Sequence, residues 1–372
     1  MTKRVLITGG AGFIGSHLAD HLLERGYHVR ALDCLSPQVH GPAGERPSYL
    51  DPEVELWVGD VRDRDTVRRA LRGVDAVYHL AAKVGVGQSM YQIADYTAAN
   101  NEGTAVLLEA LIERPVERLV VASSMSIYGE GLYREPDGTL VSGAERPLEQ
   151  LKARDWELRN ARGQILSPVA TPETKQPTLA SVYALSKYDQ ERMTLIVGRA
   201  YNIPTVGLRF FNVYGTRQAL SNPYTGVLAI FASQLLNGLP PVIFEDGCQQ
   251  RDFVNVADIA QGCRLALEVP EAAGHVFNIG SGVQRTVREI GERMGRLLNR
   301  EHLEPEVTER YRTGDIRHCF ADITFARRVL GYSPQVNFDD GLAELAEWLQ
   351  GQIAVSRSDE ARAELNLRGL TV

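Results

Sequence analysis

The feature that most constrains this chain is a glycine-rich turn between an apolar run and an amphipathic stretch. Residues 5–7 are apolar, Thr8-Gly9-Gly10-Ala11-Gly12-Phe13-Ile14-Gly15 follows, and Phe13, Ile14, Leu18 and Leu22 then recur at helical spacing. Gly9, Gly12 and Gly15 satisfy GxxGxxG, while Gly10, Gly12 and Gly15 satisfy GxGxxG. A strand that enters a helix through such a turn uses glycine to turn tightly, to let the backbone approach a pyrophosphate, and to let the helix pack close to the sheet. The helix start then presents free N–H groups and a positive dipole end to the phosphates. Glycine patterns alone are weak evidence, but here Asp33 closes the next apolar run, eighteen residues beyond Gly15. A carboxylate there accepts from both ribose hydroxyls and repels a 2′-phosphate, which predicts NAD rather than NADP. Asp60 and Val61, after a third run, stand where an adenine would be flanked.

Further short apolar runs at 29–32, 54–58, 76–80, 119–122 and 205–209 alternate with helical stretches. That rhythm predicts an α/β protein, a Rossmann-type doubly wound parallel sheet covered on both faces. At 372 residues the chain is long for one core, so a smaller mixed α/β substrate lobe is expected as well. The expected division is a dinucleotide-binding domain over 1–210 with an insertion at 130–180, then a substrate lobe over 211–352 with segments returning to the first domain. A polar tail, 353–372, ends the chain. The insertion is rich in proline and charge, with local helical spacing only at 148–158; further helices are expected near 225–238, 256–268, 286–299, 322–331 and 338–352.

Acidic residues outnumber basic ones, 47 to 40, which argues against a nucleic-acid binder that works by general phosphate attraction. No run approaches the ~20 apolar residues of a membrane span, and with four residues before the first apolar run no signal peptide is expected. Cys34, Cys248, Cys263 and Cys319 form no CxxC pair. Reduced thiols, a cytoplasmic location, and no metal or membrane partner are the expectations.

Ser181-Val182-Tyr183-Ala184-Leu185-Ser186-Lys187 sets a tyrosine and a lysine four apart, on one face of a helix. A phenol titrates near ~10 and is a poor base at neutral pH. A neighbouring ammonium favours its phenolate and so makes a general base of it. The run Leu119-Val120-Val121-Ala122-Ser123-Ser124-Met125-Ser126 ends a strand in hydroxyls. In an open α/β sheet that edge is where ligands bind.

Together these residues resemble the extended short-chain dehydrogenase/reductase family, in particular its nucleotide-sugar epimerases and dehydratases, over nearly the whole chain to about 350. His79-Leu80-Ala81-Ala82 resembles the family loop beside the cofactor, continued here by Lys83, and Asn100 matches a family asparagine. Leu208-Arg209-Phe210-Phe211-Asn212-Val213-Tyr214-Gly215, Gln250-Arg251-Asp252-Phe253-Val254 and Arg312-Thr313-Gly314-Asp315 match family segments that hold substrate phosphate. The resemblance implies Ser124, Tyr183 and Lys187 as catalytic residues. It implies NAD held by Gly9, Gly12, Phe13, Ile14, Gly15, Asp33, Asp60, Val61, Ala81, Ala82, Lys83, Asn100, Tyr183 and Lys187. A nucleotide-diphosphate sugar would lie against Ser124, Ser126, Asn212, Arg251 and Arg312. Members are usually dimers, here through helices near 91–113 and 179–201.

Family members open with oxidation at C4 of the sugar. The 4,6-dehydratases then use Asp and Glu after the serine; the decarboxylases also carry a glutamate nearby. This chain has Met125 and Ser126 there, so the resemblance implies a C4 epimerase. Residues 126–133 and 180–191, with the insertion, are most similar to dTDP-L-rhamnose 4-epimerases. UDP-glucose and UDP-glucuronate 4-epimerases, a dehydratase, a 4-keto reductase and a dinucleotide-sensing scaffold are the alternatives.

Overall fold

Val5, Leu6 and Ile7 are all fully buried, which requires a strand covered on both faces. The computed structural model describes residues 3–220, 222, 226–312, 314–352 and 358–371. Its central sheet contains β1 (Arg4–Thr8), β2 (His28–Asp33), β3 (Glu55–Val58), β4 (Ala76–His79), β5 (Arg118–Ser124), β6 (Thr205–Phe210) and β7 (Val276–Ile279). All are parallel, in the order β7-β6-β5-β4-β1-β2-β3. The chain reverses direction across the sheet between β1 and β4, and their C-terminal ends open the crevice where such folds bind ligands.

The main flanking helices are α1 (Phe13–Leu23), α2 (Gly103–Glu113), α3 (Val182–Ala200) and α4 (Val256–Glu268). Alternation along β1 sorts its side chains. Val5 and Ile7 join an apolar layer with Leu18, Leu22 and Ile259 from α1 and α4. Leu6 joins the opposite layer with Val67, Leu107 and Leu111, against which Met193 and Val197 of α3 pack. The doubly wound architecture expected from the sequence is therefore present.

In the smaller lobe, Gln250–Asn255 lies parallel to Asn212–Tyr214 and His318–Cys319 and antiparallel to Gln284–Thr286. Helices Val227–Leu236, Val287–Leu297 and Phe338–Gln350 cover it, with Phe231, Leu235, Ile290, Met294, Leu342 and Leu345 in one cluster. The chain crosses back to the first layer through α4, β7 and Thr324–Leu330, whose Ala326 and Leu330 pack with Phe277.

Two segments differ from the sequence reading. The insertion holds a three-stranded antiparallel sheet, Leu132–Arg134 between Leu140–Ser142 and Ser167–Val169. Helix forms only at Leu148–Lys152, because Leu158 turns inward with Tyr133 and Leu166 to make a small core. Three-residue strands are too short to show alternation in sequence. The polar tail contains a helix, Ser358–Leu367, while residues 353–357 and 372 lie outside the described residues.

Candidate active site

A cleft of about 920 Å3 runs along the C-terminal ends of β1, β2, β4 and β5 into the smaller lobe. Its first half is the glycine turn. Gly9 has φ of +73°, and a β-carbon there would lie 2.9 Å from the Ala81 amide nitrogen. A β-carbon on Gly15 would run into the Gly9 carbonyl oxygen. Asp33 caps the same turn: its carboxylate accepts from Ala11 N at 3.1 Å and Leu35 N at 2.9 Å. With two oxygens it keeps lone pairs for further donors, and His40 Nε2 sits 3.7 Å away. A backbone cradle that tolerates no side chain, a helix start behind it and a carboxylate at the next strand end fit a dinucleotide.

The second half is built on α3 and β5. Ser181 caps α3, its hydroxyl accepting from Ala184 N at 3.1 Å. Tyr183 N donates to Ser89 Oγ at 3.0 Å, and the Tyr183 ring meets Tyr96 edge-on at 6.4 Å between centroids. Burial pushes the phenol up, while a hydrogen bond with Ser124 favours the phenolate. Ser124 Oγ also accepts from Ser126 N at 3.2 Å and Ser126 Oγ at 2.9 Å.

Lys187 is buried, and that burial pulls its ammonium down from 10.5 to about 7, with Glu191 opposing. The hydrogen bond with Ser124 is the one contact that opposes burial at the Tyr183 phenol. Lys187 Nζ instead starts a buried chain. It donates to Gln190 Oε1 at 2.7 Å, and Gln190 Nε2 donates to Thr104 Oγ1 at 2.8 Å. The Thr104 hydroxyl donates to Asn100 O at 2.5 Å, so it accepts from His79 Nε2 at 2.8 Å. That leaves His79 Nδ1 to accept from Thr8 at 2.8 Å. Burial, helped by Lys187, holds His79 neutral by lowering it to about 3. The chain ends on Ala81 N, which donates to Thr8 Oγ1 at 3.3 Å. It therefore ties α3 to the loop after β4.

Of the residues that the resemblance assigns to catalysis or binding, all but one line the cleft: Gly9, Gly12, Phe13, Ile14, Gly15, Asp33, Asp60, Val61, Ala81, Ala82, Lys83, Ser124, Ser126, Tyr183, Lys187, Asn212, Arg251 and Arg312. Asn100 is the exception. It is fully buried in a π-helical turn, Thr97–Glu102, behind the cleft wall. It accepts from Lys83 N at 2.7 Å and donates to Lys83 O at 3.1 Å and Ser186 Oγ at 2.9 Å. Its position is supportive, because all three contacts hold the loop and α3 together. Asp60 is engaged by Arg62 at 2.6 Å, which lowers its carboxyl.

At the far end, Arg251 donates to the carbonyl oxygens of Gln250 at 2.9 Å, Arg317 at 3.0 Å and Ile316. Arg312 stacks on Phe244 at 4.5 Å and pairs with Asp315 at 2.9 Å; Thr313 between them lies outside the described residues. Asn212 Oδ1 is buried and receives no hydrogen bond among the described residues. The sequence reading missed the tail's part in this wall: Ala361, Arg362, Leu365 and Leu370 line it, and Leu365 packs against Gly87. The tail's helical spacing was the available signal; its docking site was not readable.

Residues 5–150 and 163–280 match the NAD dependent epimerase/dehydratase family, and the chain belongs to that family. It is thus an NAD-dependent enzyme of the nucleotide-sugar epimerase and dehydratase class. A dTDP-L-rhamnose 4-epimerase of Burkholderia thailandensis is 33% identical over 357 residues, 94% of this chain and 96% of that protein. A UDP-glucose 4-epimerase of Thermus thermophilus, solved with NAD, is 32% identical with TM-score 0.73, covering 94% of this chain and 100% of that one. A UDP-glucuronic acid 4-epimerase from Bacillus cereus, solved with UDP-glucuronic acid and NAD, is 28% identical with TM-score 0.77, covering 93% and 99%.

Proposed function

We propose that this protein inverts C4 of a nucleotide-diphosphate hexose, and that the hexose is the L-rhamnose of dTDP-L-rhamnose. The carrying observation is the Ser124–Tyr183 hydroxyl pair with no carboxylate beside it. Among the described residues the cleft carboxylates are Asp33, Asp60, Asp95 and Asp315. Asp95 pairs with Lys83 at 2.9 Å, Asp60 with Arg62 and Asp315 with Arg312, and Asp33 serves the glycine turn. A dehydratase needs an acid and a base across C5 and C6, and Met125 and Ser126 supply neither. The likeness to the Burkholderia enzyme supports the choice of sugar.

The glycine turn and Asp33 would hold the pyrophosphate and adenosine ribose of NAD, and Ala81, Ala82 and Lys83 would flank its other half. When bound, NAD supplies the oxidant and reductant for C4. Tyr183 takes the proton from O4 and later returns it. Ser124 donates to O4 while negative charge develops there, with Ser126 holding the serine hydroxyl in place. Lys187 would grip the cofactor ribose, and in its ammonium form it favours the phenolate. Arg251, Arg312 and Asn212 hold the diphosphate while the 4-keto sugar turns its other face.

The test is incubation of purified protein with dTDP- and UDP-sugars without added cofactor, products being separated and assigned by NMR. Conversion of dTDP-L-rhamnose to its C4 epimer is expected; loss of water or carbon dioxide would overturn the assignment. The reading includes a cytoplasmic homodimer. Ile93, Leu185 and Ile196 are exposed on the helices expected to pair, and sedimentation should show Leu185→Glu as a monomer.

A further inference from the structure

The largest fully buried side chain is a cation, Arg317. It donates to Glu245 at 3.0 Å and Asp246 at 2.6 Å, both in the smaller lobe, and to Glu157 of the insertion at 2.5 Å. Arg146 of the insertion donates to Glu245 at 2.7 Å and to Trp156 O at 3.1 Å. Glu130, at the insertion's start, accepts from Arg317 N at 2.7 Å, His318 N at 3.2 Å and the Tyr133 hydroxyl at 2.8 Å. His318 Nδ1 accepts from Gln250 N at 3.1 Å, so its Nε2 donates to Glu157 at 3.1 Å. Two arginines thus face four carboxylates, gathered from the insertion and the smaller lobe around residues 316–318.

Stability does not call for such a cluster, because apolar side chains of the same volume commonly pack as well or better. What the cluster does fix is backbone. The carbonyls of Ile316 and Arg317 receive the Arg251 guanidinium, and Arg251 lines the cleft. The Gln250 and Arg251 strand also pairs with His318 and Cys319. A guanidinium that must meet a diphosphate repeatedly, while the sugar turns, gains from a fixed carbonyl cradle.

We propose that the 130–180 insertion is a positioning device for the diphosphate arginine: Glu130 and Glu157 hold the main chain and side chain of Arg317, and the 316–317 carbonyls hold Arg251. The insertion is neither a free flap nor a lid. Arg317, Glu157 and Glu130 are positioning residues that touch no substrate. This rests on the reading of Arg251 as a diphosphate ligand.

The experiment compares Arg317→Lys, Glu157→Gln and Arg251→Ala with the unaltered enzyme. It measures KM and kcat for the nucleotide sugar, Kd for dTDP and UDP by calorimetry, bound dinucleotide by absorbance, and Tm. Lysine cannot reproduce a planar fork that serves three carboxylates. Arg317→Lys should raise KM and the nucleoside diphosphate Kd on the order of tenfold, with kcat within about twofold and dinucleotide content unchanged. If Arg317→Lys does not fold, Glu157→Gln, at the partly exposed rim of the cluster, carries the test, and a rise of about threefold or more is expected. Lowered Tm with unchanged KM and Kd in both variants would overturn the proposal. If Arg251→Ala weakens nucleotide binding while the other two do not, this inference alone fails. If Arg251→Ala leaves Kd unchanged, the substrate reading of Arg251 fails, and the inference with it.

Discussion

Lys187→Met in cofactor-free protein gives a sharp test of the site's electrostatics. Burial takes the Lys187 ammonium from 10.5 to about 7, so the folded chain binds fewer protons than the unfolded chain between those values. Stability therefore rises with pH across that window, by about 1.4 kcal/mol per unit for one proton. At pH 7 the cost of keeping this lysine in the fold is about 4 kcal/mol. The group is almost wholly buried, so solvent screening does not reduce it. Methionine removes that cost and strands Gln190 Oε1, which loses about 1–3 kcal/mol. The variant should thus be more stable than the parent at pH 7 by about 1–3 kcal/mol, although turnover is lost. The pH slope is the cleaner readout. Between pH 7 and pH 9.5 the parent should gain about 3 kcal/mol relative to the variant in urea unfolding. Higher pH is avoided because Tyr78, Tyr128 and Tyr133 are held protonated by burial, so the fold weakens once the unfolded phenols ionise. Parallel curves for the two proteins would refute the reasoning.

Other outcomes follow from the same geometry. Tyr183→Phe should keep its Tm and bound dinucleotide but lose about 10²–10⁴ in kcat, measured by product formation; a near-normal rate removes the phenol from the reaction. Gly15→Ala forces a methyl onto the Gly9 carbonyl, and the purified variant should carry little dinucleotide by absorbance. His318 and Arg317 hold the Glu157 carboxyl down at about 2, so its contribution is complete above pH 4.5 and is lost as pH falls toward 2. Near-ultraviolet circular dichroism should report that acid transition, and Glu157→Gln should flatten it. Leu365→Asp places a charge in the cleft wall beside Gly87 and should raise KM without lowering bound NAD.

Much of the first half was legible because its chemistry is local. A glycine turn, an acid at the next strand end and a tyrosine four before a lysine are each set by neighbours in the chain, since strand period, helix period and φ preference act over a few residues. The contacts of Asn100 were not legible, because they depend on a π-helical turn that sets it against Lys83 and Ser186. The Lys187–Gln190–Thr104–His79–Thr8 chain draws on four separate elements, and no spacing announces it.

From its residues alone the chain specified a parallel sheet, a glycine turn of the dinucleotide type with an acid at the next strand end, and a tyrosine and a lysine on one helix face. Local propensity and alternating burial suffice for those. Tertiary packing decided which hydroxyl meets the Tyr183 phenol, where the tail docks, and how the insertion reaches Arg251. Those depend on burial of charge and on contacts between residues far apart in the chain, such as Glu157 and Arg317. A carboxylate such as Glu157 reads in sequence as one more solvated surface group until the fold sets a buried guanidinium 2.5 Å from it.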